Sequence, residues 1–187
     1  MLQFNTALYF LINTFFDLYL AAILIRVILQ YVRAPFGNPV AQFIVRITDP
    51  GVKIFRKFVP GFFGLDCASL LFAFLLGVFK LFTINLLVYH MLPHPGFIVG
   101  CLIYSLFTLI TITLSIYFWS IIMMVVFSLL AQGYQLNSNP IYHMVYLIAE
   151  PVLRPIRRVI PPIGGFDLSP LFACIIISVL KIFFNIF

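Results

Sequence analysis

Three arginines, Arg154, Arg157 and Arg158, fall on one face of any helix that contains them. Lys53, Arg56 and Lys57 repeat that spacing 101 residues earlier. Apolar residues take the opposite face: Val152, Leu153, Ile156 and Ile160 in the later stretch, Val52, Phe55 and Val59 in the earlier one. A cationic stripe set against an apolar one marks a helix lying in the plane of a membrane surface, and the chemistry it offers is capture of anions. Each cation near an anionic leaflet contributes about 1 kcal/mol, so a stripe of three contributes about 3 kcal/mol of anchoring. Anionic phospholipids are the expected ligands, with a membrane-protein partner or a homo-oligomer as the expected company.

Asp17 and Lys80 offer different chemistry. Each stands near the middle of a long apolar run, where an ionised side chain costs about 2.5–3.5 kcal/mol on insertion scales. If the two runs are antiparallel neighbours, the pair lies at one depth and forms either a packing ion pair or a gate on an ion path. Position 118, where a second Asp17 would fall, is Phe118, and Lys181 takes the place of Lys80. Lys181 is expected to reach outward to the surface, and Arg26 inward from its own run.

The remaining candidates are weak. His90 and His94 have a ligand-like spacing, but Pro93 and Pro95 break the helix it needs, so no metal site is expected. His143 matches Gln42 as a polar position at the interface. Cys67, Cys101 and Cys174 have unrelated spacings and read as small packing residues. No nucleophile–base set, HExxH or phosphate-cradling loop is present, so neither an enzyme nor a bound cofactor is expected. The basic stripes lie against apolar runs with no nucleic-acid-binding fold around them, which excludes nucleic acid as a partner.

The positioning elements come in two copies. Residues align without a gap at the offset of 101: Asn38-Pro39 with Asn139-Pro140, Asp49-Pro50 with Glu150-Pro151, Asp66 with Asp167, and Lys80 with Lys181. The chain therefore divides into repeat 1, residues 1–96, and repeat 2, residues 97–187.

With 64% hydrophobic residues, 9% charged and no charged residue from Leu81 to Ala149, the composition is that of an integral membrane protein. The apolar runs predict four transmembrane helices over 4–32, 67–89, 97–131 and 168–187. The N-terminal run has no basic lead or cleavage signature and reads as a retained span. Cations cluster only between spans one and two and between spans three and four, which puts both clusters in the cytoplasm and both termini outside. The fold expected is an all-α membrane protein of two tandem, parallel-oriented repeats. Each repeat carries a basic amphipathic interfacial region on the cytoplasmic side, over 38–60 and 139–161.

Within each region the punctuation predicts two short helices. One starts at the Asn38 or Asn139 cap. The other has Pro50 or Pro151 in its first turn, Asp49 or Glu150 at its positive N-terminal end, and Pro60 or Pro161 at its close. Pro155 falls near that first turn as well. Asp66 with Ser69, and Asp167 with Ser169 and Pro170, cap the next span.

With these residues in place, the chain resembles the YggT family of bacterial integral membrane proteins, which has chloroplast relatives. The resemblance rests on "NPVAQFIVRITDPGVKIFRKFVP" with "GLDCAS", and on "NPIYHMVYLIAEPVLRPIRRVIPPIGGFDLSP". The second stretch follows the family pattern through Gly164, Gly165, Asp167, Ser169 and Pro170. The first departs from it at Gly51-Val52-Lys53, at Phe62-Phe63-Gly64 and at Cys67-Ala68-Ser69. The resemblance implies an inner-membrane protein without a settled biochemical activity, linked through its relatives to osmotic or ionic stress tolerance, cell division and assembly of a membrane complex. A scaffold or assembly factor is the function expected, with a small oligomeric ion channel or transporter as the alternative.

Overall fold

The structure, a computed structural model, describes residues 2–35, 37–59, 66–89, 95–130, 139–160 and 167–185. The described residues form six helices: α1 (Leu2–Tyr31), α2 (Pro39–Arg56), α3 (Cys67–Leu87), α4 (Pro95–Leu130), α5 (Pro140–Val159) and α6 (Ser169–Asn185). Gln3–Tyr31, Cys67–Leu87 and Gly96–Leu130 are long and apolar enough to cross a membrane, and Ser169–Phe184 is a shorter apolar helix. At 36 residues, α4 is about 54 Å long against a hydrocarbon layer of about 30 Å.

Helices α2 and α5 are amphipathic and begin alike. Asn38 Oδ1 accepts from the Val40 amide at 2.9 Å, Asn139 Oδ1 from the Ile141 amide at 2.9 Å, and a proline follows each cap where no donor is needed. Asn38 Nδ2 also donates to the Pro140 carbonyl at 2.9 Å and joins the two helix starts.

The expectation of two short helices per basic region is corrected here. Each of α2 and α5 is one continuous helix, with Pro50 inside the first and Pro151 and Pro155 inside the second. A proline removes one backbone bond to the preceding turn. Packing holds the axis on both sides of it: Ala41, Thr48 and Val52 are buried along α2, and Met144, Ile148, Ala149 and Leu153 along α5. Asp49 and Glu150 therefore stand inside helices, not at N-termini. Pro60, Pro161, Gly164, Gly165, His90 and His94 lie outside the described residues.

The long helices pack with α4 in the middle, against α1, α3 and α6, while α1 also packs on α3. One core joins Leu20, Ile23, Leu24 and Ile28 of α1 to Leu109 and Ile116 of α4 and to Met144 and Ile148 of α5. A second core comprises Ile121 and Met124 of α4, Ala149 and Leu153 of α5, and Ala173 and Ile177 of α6. The Asn5 side chain donates to the Val88 carbonyl at 3.3 Å, and the Phe184 ring meets Phe107 at 6.0 Å. The start of α1 and the end of α6 thus share one end of the bundle, while α2 and α5 occupy the other. Helix crossings use small residues: a Cβ at Gly77 would lie 2.3 Å from Ser105 Oγ, which donates to the Phe74 carbonyl at 2.9 Å.

A volume exchange explains one departure of the first stretch from the family pattern. A Cβ at Gly51 would stand 2.3 Å from the Phe72 ring. That ring is held by Phe55 at 5.2 Å and Tyr19 at 6.2 Å. At the offset of 101 the two positions are Val152 and Ala173, so α2 meets α3 as small against large, and α5 meets α6 as large against small. Gly51→Val is expected to cost about 1–3 kcal/mol through overpacking, and adding Phe72→Ala is expected to restore much of it, since the pair then matches Val152 and Ala173. Thermal unfolding of the two single variants and the double variant in detergent checks this; simple additivity of the two losses would contradict it.

Candidate functional site

Charged side chains gather where α1, α2 and the start of α3 meet. Asp66 caps α3: its Oδ1 accepts from the Ser69 amide at 3.2 Å and its Oδ2 from the Ser69 hydroxyl at 2.7 Å. Arg56 Nη2 reaches the same carboxylate at 2.5 Å, and Arg26 Nε stands 3.7 Å from it. Arg26, buried to 5% exposure, places Nη1 2.8 Å from Asp49 Oδ1 and donates to the Thr48 hydroxyl at 2.8 Å. Lys53 lies 3.4 Å from the other Asp49 oxygen but stays exposed. One network thus ties three helices together through groups too costly to bury unpaired. The expectation that Arg26 reaches toward the surface is corrected: two acids and a hydroxyl hold it inside.

The other half reaches the same end with one arginine fewer. Arg157 places Nη1 2.8 Å from Glu150 and Nε 2.8 Å from Asp167 Oδ2, while Asp167 Oδ1 accepts from the Ser169 amide at 2.9 Å. The position matching Arg26 is Phe127, which meets the Tyr142 ring at 5.9 Å. Arg157 therefore serves both the acid on its own helix and the acid at the start of α6, a task that Arg26 and Arg56 divide. Pro170 follows Ser169 in the first turn of α6.

The electrostatics follow. Burial pushes the Asp66 carboxyl up, but the Arg56 and Ser69 bonds outweigh it and hold the group below the ordinary carboxylate range. Burial likewise pushes Asp49 up, and Arg26 and Lys53 bring it below. At Asp167 the Ser169 and Arg157 bonds overcome the same burial. Burial lowers the Arg157 pKa, and Asp167 and Glu150 raise it overall.

The predicted cationic stripes are thereby divided. Arg56 and Arg157 are turned to carboxylates of their own chain, whereas Lys53, Lys57, Arg154 and Arg158 are exposed. Beside them stand exposed apolar residues, Ile54 on α2, Phe58 just after its end and Val159 on α5.

At the opposite end of the bundle Lys80 Nζ meets Asp17 Oδ1 at 2.6 Å, and Asn13 donates to Asp17 Oδ2 at 2.9 Å. Lys80 is buried and Asp17 is about one-third exposed. The pair lines a cavity of about 210 Å³ with Tyr9, Asn13, Tyr104 and Thr108. The matching pair in the second half is Lys181 and Phe118, with the ammonium 5.6 Å from the ring centroid. Lys181, expected to reach toward the surface, is half-buried and makes this cation–π contact. Among the described residues no group of three or more His, Cys, Asp and Glu side chains is arranged to hold a metal ion.

Two signals in the sequence point to what pattern reading missed. Phe127 at the place of Arg26 shows that the two acids are served differently, and Gly51 with Phe72 against Val152 with Ala173 shows the exchange of volume.

The profile of the CCB3/YggT family matches residues 5–87 and 103–187. The chain is 39% identical to an uncharacterised protein of Pseudomonas aeruginosa over 173 residues, covering 92% of this chain and 85% of that protein. It is 37% identical to an uncharacterised protein of Vibrio alginolyticus, covering 87% and 84%, and 36% identical to the uncharacterised protein YggT of Escherichia coli K12, covering 92% and 86%. No solved structure matches the chain.

Removing Arg26 leaves Asp49 and Thr48 facing a buried gap. Arg26→Met is expected to cost about 3 kcal/mol or more, as for one partner of a buried ion pair, whereas exposed Arg154→Met stays within about 0.5 kcal/mol. Denaturant or thermal unfolding of both variants checks the contrast, and equal losses would contradict the division of the arginines.

Proposed function

The chain belongs to the CCB3/YggT family, and from that premise we propose that it is a non-enzymatic scaffold or assembly factor of the bacterial cytoplasmic membrane. Its cytoplasmic face is formed by α2 and α5. In this reading α1, α3, α4 and α6 cross the bilayer as two tandem, parallel-oriented repeats, both termini face outward, and α2 and α5 lie at the inner surface. Placement of the cations there follows the preference of cytoplasmic segments for lysine and arginine.

One observation carries the proposal. In each half the arginine at the end of the amphipathic helix is spent on internal carboxylates, while two other cations stay exposed beside exposed apolar side chains. Internal bridging accounts for Arg56 and Arg157 and in part for the exposed Lys53, which stands 3.4 Å from Asp49; it does not account for Lys57, Arg154 and Arg158. Cations at headgroup level next to Ile54, Phe58 and Val159 at acyl level suit anionic phospholipid. With the helices fastened to the bundle, the same surface presents a fixed platform to a membrane-protein partner. Osmotic stress tolerance and cell division are the cellular settings that fit such a scaffold.

The polar cavity around Asp17 and Lys80 favours a second reading, a small oligomeric channel or transporter acting on potassium and osmotic balance. Against it, the α1 side chains next along from Asp17 toward α2, Leu20, Ile23 and Leu24, are buried in the core.

Purification from membranes mixing phosphatidylglycerol with phosphatidylcholine, followed by native mass spectrometry, tests the proposal. Replacing Lys53, Lys57, Arg154 and Arg158 with Gln is expected to lower retained phosphatidylglycerol by roughly fivefold for each cation that engages a headgroup, at about 1 kcal/mol per cation. Unchanged retention would overturn the lipid assignment. Potassium flux in proteoliposomes that exceeds empty vesicles and changes in Lys80→Met would move the assignment to the channel.

A further inference from the structure

The two halves are not equally covered. In α1, Ile28 and Leu29 are 6% and 5% exposed; at the offset of 101 in α4, Leu129 and Leu130 are 67% and 72% exposed. An apolar groove of about 600 Å³ runs between α4 and α6, lined by Ile121, Val125, Leu171, Cys174, Ile175 and Ser178. Their counterparts in the first half are Leu20, Leu24, Leu70, Ala73, Phe74 and Gly77. Those residues form the seat on which α4 lies: Leu109 and Ile116 pack into the cluster that holds Leu20, Leu24 and Ala73, and Ser105 rests on Gly77. The groove is thus a second copy of a seat that is filled in the first half and empty in the second.

The missing insert can be read off the same offset. The α4 stripe Ser105, Leu109, Ile112 and Ile116 corresponds to Phe4, Leu8, Leu11 and Phe15 of α1. Phe4, Leu11 and Phe15 are 69%, 52% and 70% exposed, on the side of α1 away from its buried Leu20 and Leu24. The amphipathic helices show the same imbalance. Met144 and Ile148 of α5 pack into the first core, whereas their counterparts on α2, Phe43 and Ile47, are 64% and 41% exposed. Phe58 differs from these, since it and its counterpart Val159 are both 80% exposed.

We infer that the groove between α4 and α6 receives α1 of a second copy of this chain, so that copies join head to tail by the contact that joins the two halves within one copy. The inference rests on the tandem, parallel reading of the halves given above. Exposed apolar surface alone does not require a protein partner in lipid. The occupant is identified by the filled seat, which shows the kind of helix the groove takes, and by the exposed face of α1, which carries the matching stripe at Phe4, Leu11 and Phe15. Such a contact is heterologous, and it closes into a ring if the rotation between units allows. Ser178 in place of Gly77 and Phe4 in place of Ser105 set the two axes farther apart than in the internal contact.

The test uses the full chain with Cys67, Cys101 and Cys174 replaced by Ala, in lipid vesicles under a mild thiol oxidant. One preparation carries Phe4→Cys and a second carries Ser178→Cys; each alone stays at its own mass across this contact. Mixed before reconstitution, they are expected to give a disulfide-linked species of twice the chain mass. Phe4→Cys mixed with Ile176→Cys, which points to the other side of α6, is expected to give none. Single-molecule photobleaching of the unmodified chain at low protein-to-lipid ratio is expected to show more than one step per spot. Single-step spots, or crosslinking no stronger than the Ile176 control, would overturn the inference and leave the groove to lipid. Tags at each end, probed for sidedness in the same vesicles, report the span count separately, so a failed contact is distinguishable from a failed reading of the repeats.

Discussion

The constraint on which the rest of this structure depends is that a charge near an apolar core must be paired where it stands. Asp66 starts α3, is almost fully buried, and accepts from Ser69 and Arg56 while Arg26 stands close by. Asp49 takes Arg26 and Lys53. An arginine has enough donors in a fixed plane to serve two acceptors at once, so Arg26 fixes how α1, α2 and α3 cross. Once they cross in that way, Gly51 has to be small for Phe72 to fit. In the other half Arg157 alone joins Glu150 to Asp167, and α5 is fixed to the start of α6 without any charge from α4.

In the proposed function the cations of each stripe do two separate jobs. One cation of each stripe holds the fold and the neighbouring ones remain at the surface. The first job explains why an arginine stands at 26 and at 157, where one planar group reaches two acids from different nitrogens, while Arg56 adds a single contact to Asp66. The second needs positive charge without a fixed geometry, and the first half carries it on Lys53 and Lys57 while the second uses Arg154 and Arg158.

Much of the architecture was legible from residues alone. Long uncharged runs gave the apolar helices to within a few positions, and the Asn-Pro pairs marked the starts of α2 and α5, because caps and hydrophobic length are local properties. The prolines misled, since Pro50, Pro151 and Pro155 read as helix boundaries by local rules while burial on both sides keeps each helix continuous. Arg26 was misplaced for a related reason. Its partners Thr48, Asp49 and Asp66 are 22 or more residues away, and only the crossing of α1 with α2 and with the start of α3 brings them together. Asp17 and Lys80 were easier to associate, being isolated charges in two apolar runs; the structure sets them 2.6 Å apart beside a polar cavity.

The central claim is that the paired arginine and aspartate at each helix junction act as a fastening and not as a surface coincidence. A double-mutant cycle on Arg56 and Asp66, using Arg56→Gln, Asp66→Asn and the double variant, measures that coupling with little change of volume. The account predicts a coupling above about 1 kcal/mol, because the double variant leaves no uncompensated charge at the start of α3. Strict additivity of the two single losses would mean that the carboxylate and the guanidinium contribute independently, and would contradict the fastening on which this account of the fold and the exposed cations rests.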